Sequence, residues 1–126
     1  VSEDEMILPA GFSLSVFNTP VALATLAFKL TGGYSVLYPS KNNFADCFKA
    51  AVAPLLAGTE EQILFVYADE LVPEVYGQQR PAENIPFSFA TLISTEKKDK
   101  AICFNVDDLS KISSSPIAFL KKFIDF

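Results

Sequence analysis

Residues 62–68 read Gln-Ile-Leu-Phe-Val-Tyr-Ala, an unbroken apolar run of strand length. A run without alternation is what a strand covered on both faces looks like, as in a parallel sheet flanked by helices. Upstream, a helix is predicted from about Phe44 to Ala57, closed by Gly58 and apolar nearly all round, with Asp46 and Lys49 near its start. Ser40, Lys41, Asn42 and Asn43 before it are cap and turn types. Before them, Ser35–Tyr38 reads as a short strand that stops at Pro39. A first helix is predicted over Val21–Leu30. Asn18 or Thr19 would cap it, Pro20 suits its first turn, and Gly32-Gly33 offers a left-handed exit. Lys29 is its sole charge, so this helix calls for enclosure by its own domain or by a partner.

Further out, Phe12–Phe17 alternates apolar and polar like a half-buried extended segment, and Ser2-Glu3-Asp4-Glu5 reads as a frayed charged end. Downstream, 71–86 contains Pro73, Gly77, Pro81 and Pro86 and reads as a long surface loop. Phe87–Ser94 and Ala101–Val106 are predicted as two strands of a hairpin joined by the charged stretch Thr95–Lys100. A last helix starts at Ser114-Ser115-Pro116 and places Ile117, Leu120, Phe123 and Ile124 on one side. Helix, strand, helix, strand, hairpin and helix make an α/β chain. Its 126 residues fit one domain, 1–126.

Half of the residues are apolar, with twelve Phe and no Trp, which is ample material for a core. Ten Lys+Arg against fifteen Asp+Glu give a net charge of −5, and no basic stripe is present. Nucleic acid and anionic membrane surfaces both need clustered cations, so neither is expected as a partner. Val21–Leu30 is too short to span a bilayer. Cys47 and Cys103 lie among apolar neighbours without CxxC spacing and read as buried free thiols of a reducing cytosol.

The chain holds no histidine, which removes the commonest general base and metal ligand from these residues. Thr31-Gly32-Gly33 lacks the spacing of a phosphate-binding loop. Ser94-Thr95-Glu96-Lys97 matches S-x-x-K by letter, but at a hairpin tip rather than on the helix that motif needs. The acidic pairs Asp69-Glu70 and Asp107-Asp108 read as solvated caps, because adjacent residues at strand ends point apart. Neither a cofactor nor a metal is called for.

The succession of pieces resembles the beta-ketoacyl-synthase-like N-terminal domain family, relatives of the condensing enzymes with the thiolase fold. Phe12-Ser13-Leu14-Ser15-Val16-Phe17-Asn18 is similar to that family's "FSLSVHN" signature, with Phe12, Ser13, Ser15 and Asn18 carrying the match. Asn18 opens the apolar helix, Gly32-Gly33 ends it, and Ser35–Tyr38, Ala45–Gly58 and Gln62–Glu70 follow as strand, helix and strand over roughly residues 7–106. Pro116-Ile117-Ala118-Phe119-Leu120 resembles the family's C-terminal segment. The resemblance implies a thiolase-like half-core, a mostly parallel sheet with an antiparallel edge strand and helices on both faces. It also implies a copy that lacks the family's first strand and helix.

Matching Ser35 and Ala50-Ala51 to that family puts Ser40 where ketosynthases carry the nucleophilic cysteine, and Asn43 where they carry a glycine. A serine hydroxyl at a helix start stays protonated where a cysteine would ionise, so Ser40 reads as a cap rather than a nucleophile. The resemblance therefore implies a non-catalytic, chain-length-factor-like subunit of fatty-acid, polyketide or aryl-polyene type elongation in the bacterial cytoplasm. Such a subunit would form a homodimer, or a heterodimer with a catalytic ketosynthase, through Ser35, Val36, Leu37 and Tyr38, and would meet acyl carrier protein. The alternatives are a divergent active beta-ketoacyl synthase, a Ser40-dependent acyltransferase that borrows its base, and a structural remnant.

Overall fold

The computed structural model describes residues 16–38, 44–79 and 84–124, and the chain divides into two compact units, Val1–Tyr38 and Pro39–Phe126.

In the first unit, helix α1 spans Thr19–Ala27 with Pro20 in its first turn, where a missing N–H costs nothing. Asn18 stands at the cap position and its carbonyl accepts the Ala22 N–H at 2.9 Å, but its side chain makes no cap hydrogen bond. The helix closes earlier than Gly32-Gly33. Leu30 N–H donates to Thr25 O at 2.9 Å and Lys29 N–H to Leu26 O at 3.3 Å, the paired bonds of a Schellman ending. The left-handed residue this ending requires is Lys29, at φ 53°, not a glycine. None of the residues of α1 is buried, and Leu26 and Phe28 are three-quarters exposed.

The predicted strand Ser35–Tyr38 is not formed: 30–38 carries no ladder, and these four residues are exposed. Tyr38 instead stacks on Phe17, with ring centroids 4.5 Å apart.

In the second unit, helix α2 spans Phe44–Leu56 and is one-sided rather than apolar all round in its burial. Phe44, Ala45, Phe48, Val52 and Leu55 face inward, while the outward face is largely small, with Ala50 and Ala53, and ends in an exposed Leu56. Here a glycine does end the helix. Gly58 adopts φ 74°, and Thr59 N–H reaches Pro54 O at 3.0 Å while Gly58 N–H reaches Leu55 O at 3.2 Å. Pro54 lies inside the last turn, so it leaves one helical donor missing but supplies the carbonyl on which the cap is built.

Strand β1, Gln62–Asp69, and strand β2, Phe87–Ser94, form a two-stranded antiparallel sheet. The register pairs Ile63 with Ile93, Phe65 with Thr91 and Tyr67 with Phe89 on the inner face. The mostly parallel sheet expected from the run at 62–68 is not formed among the described residues. That run is apolar on both sides, but only alternate residues are covered, and Leu64, Val66 and Leu92 are more than half exposed. The β1–β2 pairing replaces the hairpin expected between Phe87–Ser94 and Ala101–Val106. β2 pairs with β1, 101–105 has no regular structure, and Val106–Lys111 winds into a 3₁₀ turn.

The connection from β1 to β2 contains a 3₁₀ turn at Glu74–Gln79, kinked at Gly77 with φ 49°. Its base is held by one side chain. Asn84 Nδ2 donates to Val72 O at 3.1 Å, and Asn84 Oδ1 accepts Val72 N–H at 2.8 Å. Val72 and Asn84 stand in line with the ladder beyond its last pair, Asp69 and Phe87, so a primary amide substitutes for one rung of backbone pairing.

The last helix, α3, is Pro116–Lys121, started by Ser115 Oγ accepting Ala118 N–H at 3.2 Å. Its inward residue is Phe119, whereas Ile124, placed on the apolar side from sequence, is exposed. Phe119 joins Phe44, Phe48, Val52 and Leu55 in the core, with Ile63, Phe65, Tyr67, Phe89 and Ile93 packed against it from the sheet. The core is mainly aromatic: Phe48 lies 4.8 Å from Phe119 and 5.3 Å edge-on from Phe65. Edge-to-face and tilted pairs of this kind add to simple burial.

Candidate functional site

The start of α2 is where the sequence placed any catalytic group. Ser40 lies outside the described residues, as do Phe12, Ser13 and Ser15, while Asn18 is found at the head of α1. Within α2, the chemically reactive side chain of the first turns is Cys47. A thiol near a helix N-terminus is ordinarily helped to ionise by the free N–H groups. Cys47 is driven the other way: its pKa is raised above the ordinary thiol value by burial first and by the neighbouring Asp46 carboxylate second. Asp46 itself sits 3.9 Å from Lys49 one turn on. The first turns of α2 thus disfavour the thiolate of Cys47.

The second thiol corrects the sequence reading. Cys103 is exposed rather than buried, and Cys47 is only half-buried, although both are free. The unstructured path of 101–105 takes Cys103 out of the sheet that would have covered it.

The remaining candidates are occupied in local roles. Asp69 Oδ2 accepts the Tyr67 hydroxyl at 3.1 Å and its Oδ1 accepts the Glu70 N–H at 2.9 Å, so this acid ends β1. Burial, the Asp69 charge and that hydrogen bond push the Tyr67 pKa up to about 12. Asp108 pairs with Lys111 at 3.5 Å inside its 3₁₀ turn. Ser94 Oγ accepts the Glu96 N–H at 3.0 Å, a turn bond rather than a link to Lys97. Among the described residues, no group of three His, Cys, Asp or Glu side chains is placed to hold a metal ion. No helix among them is long and apolar enough to cross a membrane.

Ser35, Val36, Leu37 and Tyr38 are brought together only by adjacency, with Tyr38 leaning on Phe17. Sequence reasoning missed the role of Phe119, whose spacing from Ile117 and Leu120 hid it from a face chosen by apolar count alone.

Residues 1–118 match the family described as beta-ketoacyl synthase, N-terminal domain, and the chain belongs to that family. No curated protein and no solved structure matches it.

Proposed function

We propose that this domain serves acyl-chain elongation without performing the condensation, as a ketosynthase-like subunit of chain-length-factor type with a thiolase-like half-core. The observation that carries the reading is the chemistry at the start of α2. Family members that condense acyl groups need an ionised thiol there, and this chain offers a serine at 40 and, at 47, a thiol pushed toward protonation. No histidine in these residues is at hand to act as base for either.

The test is intact-protein mass after incubation with acyl-loaded and malonyl-loaded carrier protein. The expected result is no acyl adduct and no condensed product. An adduct that disappears in Ser40→Ala would replace the proposal with a serine acyltransferase. An adduct lost in Cys47→Ser would replace it with an active synthase.

The same proposal includes association, as a homodimer alone and a heterodimer with a ketosynthase, through Ser35–Tyr38. Two features support this: the segment makes no ladder with the described residues, and Val36, Leu37 and Tyr38 are 42%, 45% and 70% exposed. An uncharged, unpaired stretch of this kind invites pairing with another chain. Light scattering should give a dimer at micromolar concentration and a monomer for Val36→Lys. A monomeric parent chain would remove this part of the proposal.

A further inference from the structure

A shallow depression of about 190 Å³ lies between the 3₁₀ turn Val106–Lys111 and α3. Its floor is aromatic. Phe123 meets Phe119 edge-on at 5.1 Å and Phe104 at 6.3 Å, and Ile112 completes the apolar surface. Lys111 and Lys122 also line it, beside one carboxylate among the described residues, Asp108. On a chain of net charge −5, a pair of lysines over an apolar floor is a local reversal of sign. Asp108 engages Lys111 at 3.5 Å, whereas Lys122 has no carboxylate within 4 Å among the described residues.

The geometry points to a binding site for a small aromatic anion, one ring carrying a carboxylate, and this holds whether or not the domain is catalytic. Size sets the ring count. Drug-sized ligands take roughly 300–1,000 Å³, while a cavity of about 150 Å³ lined by Leu, Ile and Phe accepts benzene. A single ring on Phe104, Phe119 and Phe123 fits this volume and gains edge-to-face contacts. The anionic group then lies over the rim, held chiefly by Lys122 and shared at Lys111 with Asp108. An open site and a solvated cation keep the affinity modest, with Kd on the order of a millimolar.

The test is a ¹H–¹⁵N titration of the whole chain with benzoate, benzyl alcohol and acetate. Benzoate should shift the amides of Phe104, Ile112 and Phe123 saturably. It should bind about fivefold more tightly than benzyl alcohol, the scale of one exposed charge contact. Acetate should shift none of them. Lys122→Gln should abolish the preference for benzoate over benzyl alcohol while leaving benzyl alcohol binding unchanged, and Asp108→Asn should tighten benzoate binding. Equal affinities for the two ring compounds, a preference that survives Lys122→Gln, or benzoate shifts centred on Leu64 and Leu92 instead would overturn the proposal.

Discussion

Truncating Phe48 to alanine removes the most enclosed ring among the described residues of the second unit, at 1% exposure. Its neighbours come from every element around it: Phe44 on its own helix at 6.0 Å, Phe65 on β1 at 5.3 Å, Phe104 at 6.2 Å and Phe119 on α3 at 4.8 Å. Because α2, β1 and α3 all lean on this ring, none can collapse into the space without releasing another contact. The loss should therefore include both the transfer and the cavity contributions, about 3–5 kcal/mol. Against a total of about 5–15 kcal/mol, that is a large fraction. Phe48→Leu, which keeps most of the volume, should cost about 1–2 kcal/mol. The assay is urea unfolding followed by the NMR intensities of Ile63 and Ile93, a cross-strand pair on the inner face, so the readout belongs to this unit alone. Leu64→Ala, on the opposite face and 65% exposed, is the control and should cost under about 0.5 kcal/mol. A loss below about 1 kcal/mol for Phe48→Ala would refute the aromatic core as described. A Leu64→Ala loss as large as that of Phe48→Ala would refute a sheet covered on one face.

The two helix endings should respond to substitution with opposite signs. Lys29→Gly relieves a left-handed side-chain residue and should slow exchange of the Leu30 amide by a factor that reflects about 0.5–1 kcal/mol, whereas Gly58→Ala should cost about 1 kcal/mol although nothing lies within 4 Å of the added methyl. Mass-resolved alkylation near neutral pH should label Cys103 quickly and Cys47 slowly, since Cys47 is half-buried with its thiolate disfavoured; equal rates would contradict that assignment. Tyr67 holds its proton more tightly folded than unfolded, so the stability it contributes is complete below about pH 10 and is lost as pH rises toward about 12. The phenolate band should show a one-tyrosine component near pH 12 that Tyr67→Phe deletes, together with the part of the alkaline destabilisation that falls between those values.

Local signals located the elements well. Pro20 and Gly58 mark real helix ends, and the strand bounds Gln62–Ala68 and Phe87–Ser94 differ from the observed ones by a single residue at one end. What the strands pair with was not legible. Ile-Leu-Phe-Val-Tyr is apolar at every position, so period carries no information about which face is covered, and the inner residues Ile63, Phe65 and Tyr67 emerge only once α2 is in place. Short connections are the rule, which points β2 to the next apolar stretch, at 101–106. The actual partner lies before the longer connection 70–86. The lack of histidine could be read directly. The exposure of Cys103 could not, because it depends on a strand that does not form.

The rung that Asn84 makes with Val72 has a chemical lifetime as well as a geometry. An asparagine side chain can satisfy one donor and one acceptor on the same residue; aspartate has lost the donor, and glutamine overshoots by a methylene. Hydrolysis of the Asn84 amide to a carboxylate would turn its oxygen toward the Val72 carbonyl, acceptor against acceptor, where 3.1 Å now separates donor from acceptor. That exchange would remove the side-chain rung between Val72 and position 84 without touching a residue of the core.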